Sequence, residues 1–98
     1  MNIDDQIIKQ IRVIASGFDY IEKVVLFGSR VRGDNRERSD IDLAVYSDED
    51  ITEFIDRLET QVRSLLKFDI SDINQLDDLV FKQEVETEGV AIYEKSKI

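Results

Sequence analysis

Residues 23–46 hold two apolar stretches separated by a polar segment, Gly-Ser-Arg-Val-Arg-Gly-Asp-Asn-Arg-Glu-Arg-Ser. The first stretch, Lys23-Val24-Val25-Leu26-Phe27, is short, β-branched and stopped by Gly28, so it reads as a buried strand. The second, Asp40-Ile41-Asp42-Leu43-Ala44-Val45-Tyr46, alternates and then turns apolar, and reads as a second strand. The segment between them reads as a loop with room for a short helical turn after Gly28-Ser29. Two buried strands this close together demand a sheet, and a sheet demands covering layers.

The rest of the chain supplies those layers. Asp4 or Asp5 can cap a first helix whose apolar face is Ile7, Ile8, Ile11, Ile14 and Ala15, with Gly17 as its stop. Ser47-Asp48-Glu49-Asp50 offers capping and dipole-favourable acids ahead of the clearest amphipathic pattern, Ile51, Phe54, Ile55, Leu58, Val62, Leu65 and Leu66. Phe68 to Ile73 alternates as a third strand. A last helix over roughly residues 77–88, capped by Asp77 or Asp78, points Leu79, Val80 and Val85 inward and ends at Gly89. Val90 to Tyr93 is a fourth strand. The expected fold class is therefore α/β (α+β): a small mixed β-sheet of about four strands with flanking helices. It forms one domain over residues 1–98.

Composition narrows the chemistry. The 98 residues contain no Cys and no His, which excludes disulfides, thiolate nucleophiles, imidazole metal sites and a Ser-His-Asp triad. Carboxylates, hydroxyls, Lys, Arg and backbone remain, and carboxylates suit hard cations such as magnesium. An acidic start and the lack of a long apolar run predict a cytoplasmic chain without a membrane span.

The formal net charge of −9 is unevenly placed. Residues 1–47 are almost neutral, whereas residues 48–98 carry 14 acids against 6 bases. Such a surface repels nucleic acid and suits a basic protein partner, or serves only solubility. Against this trend, Arg30, Arg32, Arg36 and Arg38 crowd one loop. They fit an anionic ligand such as a phosphate chain, or local pairing with Asp34 and Glu37.

The chemical signal is the pattern Gly-Ser-x10-Asp-x-Asp. Asp40 and Asp42 share one strand face, roughly 6.5–7 Å apart along the chain. Two like charges there fit a cation site or an exposed strand edge. Gly28 permits close backbone approach to a phosphate, and Ser29 adds a hydroxyl donor. Asp69, flanked by Phe68 and Ile70, is an acid in a buried-looking strand and needs an Arg partner or a metal. Other motifs fail. The Gly28–Gly33 spacing lacks the Gly-Lys-Ser/Thr of a Walker A loop, and Asp48-Glu49-Asp50 lacks the glycine and distal glutamate of an EF-hand. Tyr20, Tyr46 and Tyr93 form no interleaved aromatic–basic RNA surface.

Residues 28–45, Gly-Ser-Arg-Val-Arg-Gly-x5-Ser-Asp-Ile-Asp-Leu-Ala-Val, resemble the signature of the polymerase β-like nucleotidyltransferase superfamily. With the short length and the Phe68–Ile73 strand, the chain resembles the minimal nucleotidyltransferase (MNT) family in particular. The resemblance implies the polymerase β-like nucleotidyltransferase fold. It also implies a catalytic metal triad of Asp40, Asp42 and Asp69 holding Mg²⁺, two ions in all. Gly28, Ser29, Arg30, Arg32 and Ser39 would lie at the bound nucleotide, ATP. It further implies an antitoxin that transfers AMP from ATP to a tyrosine of a HEPN-domain RNase toxin, its partner in a hetero-oligomer. Direct nucleic-acid or membrane binding is not expected. Two other functions stay in view: an antitoxin that neutralises by binding alone, and a nucleotidyltransferase for a small molecule such as an aminoglycoside. The chain has little room for the second domain that a small acceptor usually needs.

Overall fold

The computed structural model describes residues 2–36, 39–62 and 66–95. Helix α1, Asp5–Ser16, begins where the Asp4 side chain accepts a hydrogen bond from the Gln6 backbone N–H, and Gly17 closes it. Strand β1 is Ile21–Phe27, and the short helix α2 is Ser29–Arg32. Strand β2 is Ile41–Ser47, helix α3 is Thr52–Gln61 and strand β3 is Phe68–Asp72. A 3-10 turn, Ile73–Gln75, precedes helix α4, Leu79–Glu88, and strand β4, Val90–Glu94.

The sheet order is β3-β2-β1-β4. β1 pairs antiparallel with both β2 and β4, while β2 and β3 are parallel. The sheet is therefore mixed and four-stranded, as the sequence pattern requires. Parallel pairing of β2 and β3 needs a crossover, and α3 supplies it.

Strand alternation splits the core in two. On one face Val24, Leu26, Ile41, Leu43 and Val45 pack with Ile7, Ile8, Ile11 and Ala15 of α1 and with Phe54 and Leu58 of α3. On the other face a thinner layer forms from Val25, Ala44, Ile73 and Val85, with Phe27 and Phe81 partly buried beside it. Asp42, Ala44 and Tyr46 belong to this thinner face because they alternate with Ile41, Leu43 and Val45. It leaves room for a polar site where the thick face does not.

Three local expectations change. Leu79 and Val80 point outward, 73% and 76% exposed, not inward. Asp78 caps α4 through the Phe81 N–H, and Phe81 and Val85 then sit four apart on the face that meets the sheet. At 3.6 residues per turn Leu79 and Val80 fall off that face. Helix α3 stops at Gln61, because Val62 is already extended, with φ −83° and ψ 115°. Leu66 still packs against the main core, but outside the helix; Leu65 lies outside the described residues. Ile73 leaves the third strand for the 3-10 turn, which Asp72 caps by accepting from the Asn74 N–H at 3.1 Å.

Among the described residues no helix is long and apolar enough to cross a membrane.

Candidate active site

The site starts at the end of β1. Gly28 has φ +83° and ψ −156°, a region that only glycine enters at low cost. A Cβ at this position would lie 2.4 Å from Asp42 Oδ2. The reason is register: Phe27, the residue before Gly28, pairs across the ladder with Asp42. Gly28 is thus demanded twice, by its own backbone and by the carboxylate packed on it. Its carbonyl then accepts the Val31 and Arg32 N–H groups at 3.1 and 3.2 Å and starts α2. Gly33, with φ +86°, ends that helix in the left-handed conformation.

The acids lie alongside. Asp42 is half-buried and stands directly opposite Asp69 in the parallel β2–β3 ladder. Asp40 precedes β2, outside the strand, and is exposed, close enough for its charge to act on Asp42. Asp69 is exposed rather than buried, because β3 is an edge strand. Adjacent strands lie about 4.8 Å apart, so Asp42 and Asp69 repel one another. Burial raises the Asp42 carboxyl above its ordinary pKa. The charges of Asp69 and then Asp40 raise it further, and Arg32 and Arg30 only partly offset this.

Three carboxylates on neighbouring backbone positions are a donor set for a hard divalent cation, and such a cation would relieve the repulsion. Among the described residues no three acids are already gathered tightly enough to hold a metal. The backbone register places the donors, and closing them around an ion requires rotation of side chains, two of which are exposed.

Two arginines of α2 have different surroundings. Arg32 is exposed and paired with Asp34 at 3.3 Å and with Glu88, at the end of α4, at 3.5 Å. These acids raise its pKa, the hydrogen bond to Asp34 contributing most. Arg30 is only 6% exposed. Its Nε and Nη2 donate to the Ser39 carbonyl at 3.2 and 2.8 Å, and its Nη1 donates to the Asn2 carbonyl at 2.9 Å. Ser39 Oγ accepts the Arg36 N–H at 2.8 Å. Ser29 is half-buried at the start of α2, and Arg38 lies outside the described residues. Sequence reasoning missed Asn2 and Glu88. Neither carries a local signal, since each acts only through a contact distant along the chain.

Residues 9–98 match the family described as "Polymerase beta, Nucleotidyltransferase". The chain belongs to that nucleotidyltransferase family. Solved structures share the fold. A Sulfolobus solfataricus protein described as a nucleotidyltransferase aligns at 24% identity and TM-score 0.56, covering 95% of this chain and 85% of that one. A chain from the complex of tri-AMPylated Shewanella oneidensis HEPN toxin with MNT antitoxin aligns at 19% identity and TM-score 0.69, covering 95% and 74%. A chain from a toxin–antitoxin structure with AMP-PNP aligns at 20% identity and TM-score 0.66, covering 96% and 76%. No curated protein matches the sequence at comparable significance.

Proposed function

We propose that this chain is a divalent-metal-dependent nucleotidyltransferase that moves AMP from ATP onto a tyrosine hydroxyl of a HEPN-type toxin, and so acts as its antitoxin. The observation that carries the reading is the register of Asp42 with Asp69 beside Gly28. The toxin partner is supported by the two similar folds found in toxin–antitoxin complexes, one with a tri-AMPylated toxin. The acid surplus of residues 48–98 suits a basic surface on that partner.

Asp40, Asp42 and Asp69 would hold the metal, two Mg²⁺ ions in this reading. When bound, the ions supply charge neutralisation at the triphosphate and a lowered pKa at the attacking hydroxyl. Gly28 lets the backbone approach the phosphates, and Ser29 Oγ donates to them. Arg32 exchanges Asp34 and Glu88 for phosphate oxygens, while Arg30 and Ser39 border the same turn. Asp69, outermost of the three acids, meets the incoming tyrosine and accepts its proton. The tyrosine oxygen bonds to the α-phosphorus, the bond to the β-phosphate bridging oxygen breaks, and pyrophosphate leaves with that electron pair.

The test mixes the protein, the toxin, Mg²⁺ and labelled ATP, and locates the label by mass spectrometry. Label on a toxin tyrosine, lost in Asp42→Asn, supports the reading; undiminished transfer by that variant overturns it. Neutralisation by binding alone is the second reading, which the acid surplus of residues 48–98 serves equally. It predicts that Asp42→Asn still silences the toxin.

A further inference from the structure

We infer that Arg30 is a positioning residue for Asp40, acting through the Ser39–Asp40 peptide, and not a ligand of the nucleotide's phosphates. This inference rests on the nucleotidyltransferase reading for its consequence, but its structural basis is independent of that reading.

The geometry is specific. Asp40 precedes the β2 ladder, which begins at Ile41. Its backbone therefore needs anchors on both sides. On the C-terminal side the Ile41 N–H donates to the Lys67 carbonyl at 2.8 Å, which ties it to the segment leading into β3. On the N-terminal side the anchor is the Ser39 carbonyl, held by two nitrogens of Arg30. That carbonyl belongs to the peptide group whose nitrogen is Asp40's own. The guanidinium thus fixes the plane from which the Asp40 Cα departs.

Arg30 is itself immobilised. Its third donor holds the Asn2 carbonyl, and the Asn2 N–H returns to the Arg30 carbonyl at 2.8 Å. Asn2 Nδ2 also donates to Asn35 Oδ1 at 3.0 Å. One buried side chain therefore joins the N-terminal segment, the turn after β1 and the end of the polar loop. A lysine keeps the charge but presents a single point donor, and it cannot reproduce a planar fork bridging two carbonyls. Moving the guanidinium onto a phosphate would strip both part-buried carbonyls of these donors and draw a buried side chain out of its place, which is unfavourable. Arg32, two residues on and exposed, is under no such constraint.

Three measurements test this. Mn²⁺ binding, followed by the paramagnetic resonance of the free ion without nucleotide, should weaken about tenfold in Arg30→Lys, the usual scale for loss of a group that orients a metal ligand. The same variant should lower kcat for AMP transfer and leave the KM for ATP within about twofold of wild type, while Arg32→Lys raises KM. A tenfold rise in KM in Arg30→Lys with Mn²⁺ binding intact would overturn the inference and make Arg30 a phosphate ligand. The third measurement needs only folded wild-type protein: backbone ¹⁵N relaxation at Asp40 should give an order parameter near 0.85, as in rigid strands. A value below about 0.6 would show that no clamp exists. This readout stands even if wild type transfers no AMP, so failure of the inference and failure of the functional reading are told apart.

Discussion

Arg30 and Arg32 sit two residues apart on one short helix, in the same basic loop, with the same side chain. Arg30 is buried on the carbonyls of Ser39 and Asn2. Arg32 is exposed and rests on two carboxylates that a more highly charged ligand can displace. The difference separates a charge buried in backbone contacts from a charge left at the surface, which the proposed reaction would use. Burial and partner type decide which is which: a buried guanidinium shared between backbone carbonyls is not exchanged for phosphate, whereas exposed ion pairs are weak and readily exchanged.

The contrast breaks first at stability. Arg30→Met removes the hydrogen bonds that a buried guanidinium gives to the part-buried Ser39 and Asn2 carbonyls, at about 0.5–1.5 kcal/mol each. Urea unfolding should show this loss, with no change of midpoint in Arg32→Met. Equal midpoints for the two variants would erase the distinction. At the next scale, Arg32→Met should raise the KM for ATP about tenfold, the effect of one lost charge-assisted contact, since 1.4 kcal/mol is a factor of ten. A smaller effect in the opposite direction is expected of Glu88→Gln. Removing one competing carboxylate should tighten ATP binding by about twofold to threefold, on the scale of a surface ion pair. Initial-rate kinetics checks the first and calorimetric titration with ATP the second.

Asp42 sharpens the electrostatic side of the comparison. Its pKa is raised above 3.8 by burial and by Asp69 and Asp40, more than Arg32 and Arg30 lower it. A folded-state pKa raised in this way gives stability that is full below the ordinary value. That stability declines as pH rises through the folded value. In EDTA, Asp42→Asn should therefore become more stable than wild type as pH rises from about 4 to neutrality. The gain should be about 0.2–1 kcal/mol, the scale of a like-charge pair facing across strands. Identical pH profiles for the two proteins would remove the repulsion that motivates a cation there.

Much of this arrangement was legible in the sequence. The β-branched run at Val24–Leu26 and the Asp40–Tyr46 alternation marked β1 and β2, and the spacing of Ile51, Phe54 and Leu58 marked α3. The pattern from Gly28 to Asp42 marked the turn and two of the acids. What remained hidden depends on contacts between distant segments. That Asp69 faces Asp42 follows from a parallel register that no local pattern encodes. The same is true of the Asp42 carboxylate filling the place of a Gly28 Cβ. Leu79 and Val80 are apolar yet exposed, because the Asp78 cap and the Phe81–Val85 face set the rotation of α4. The two arginines look alike in sequence because burial is a property of the packed chain.

The most direct measurement follows the two ends of ATP separately. With Mg²⁺ and the toxin present, label on the α-phosphate should appear on a toxin tyrosine, and label on the γ-phosphate should leave as pyrophosphate. Both signals should vanish in Asp42→Asn. Label from the γ-phosphate on the protein, or α-label transferred as fast by Asp42→Asn as by wild type, would contradict an active site built on the Asp42–Asp69 register.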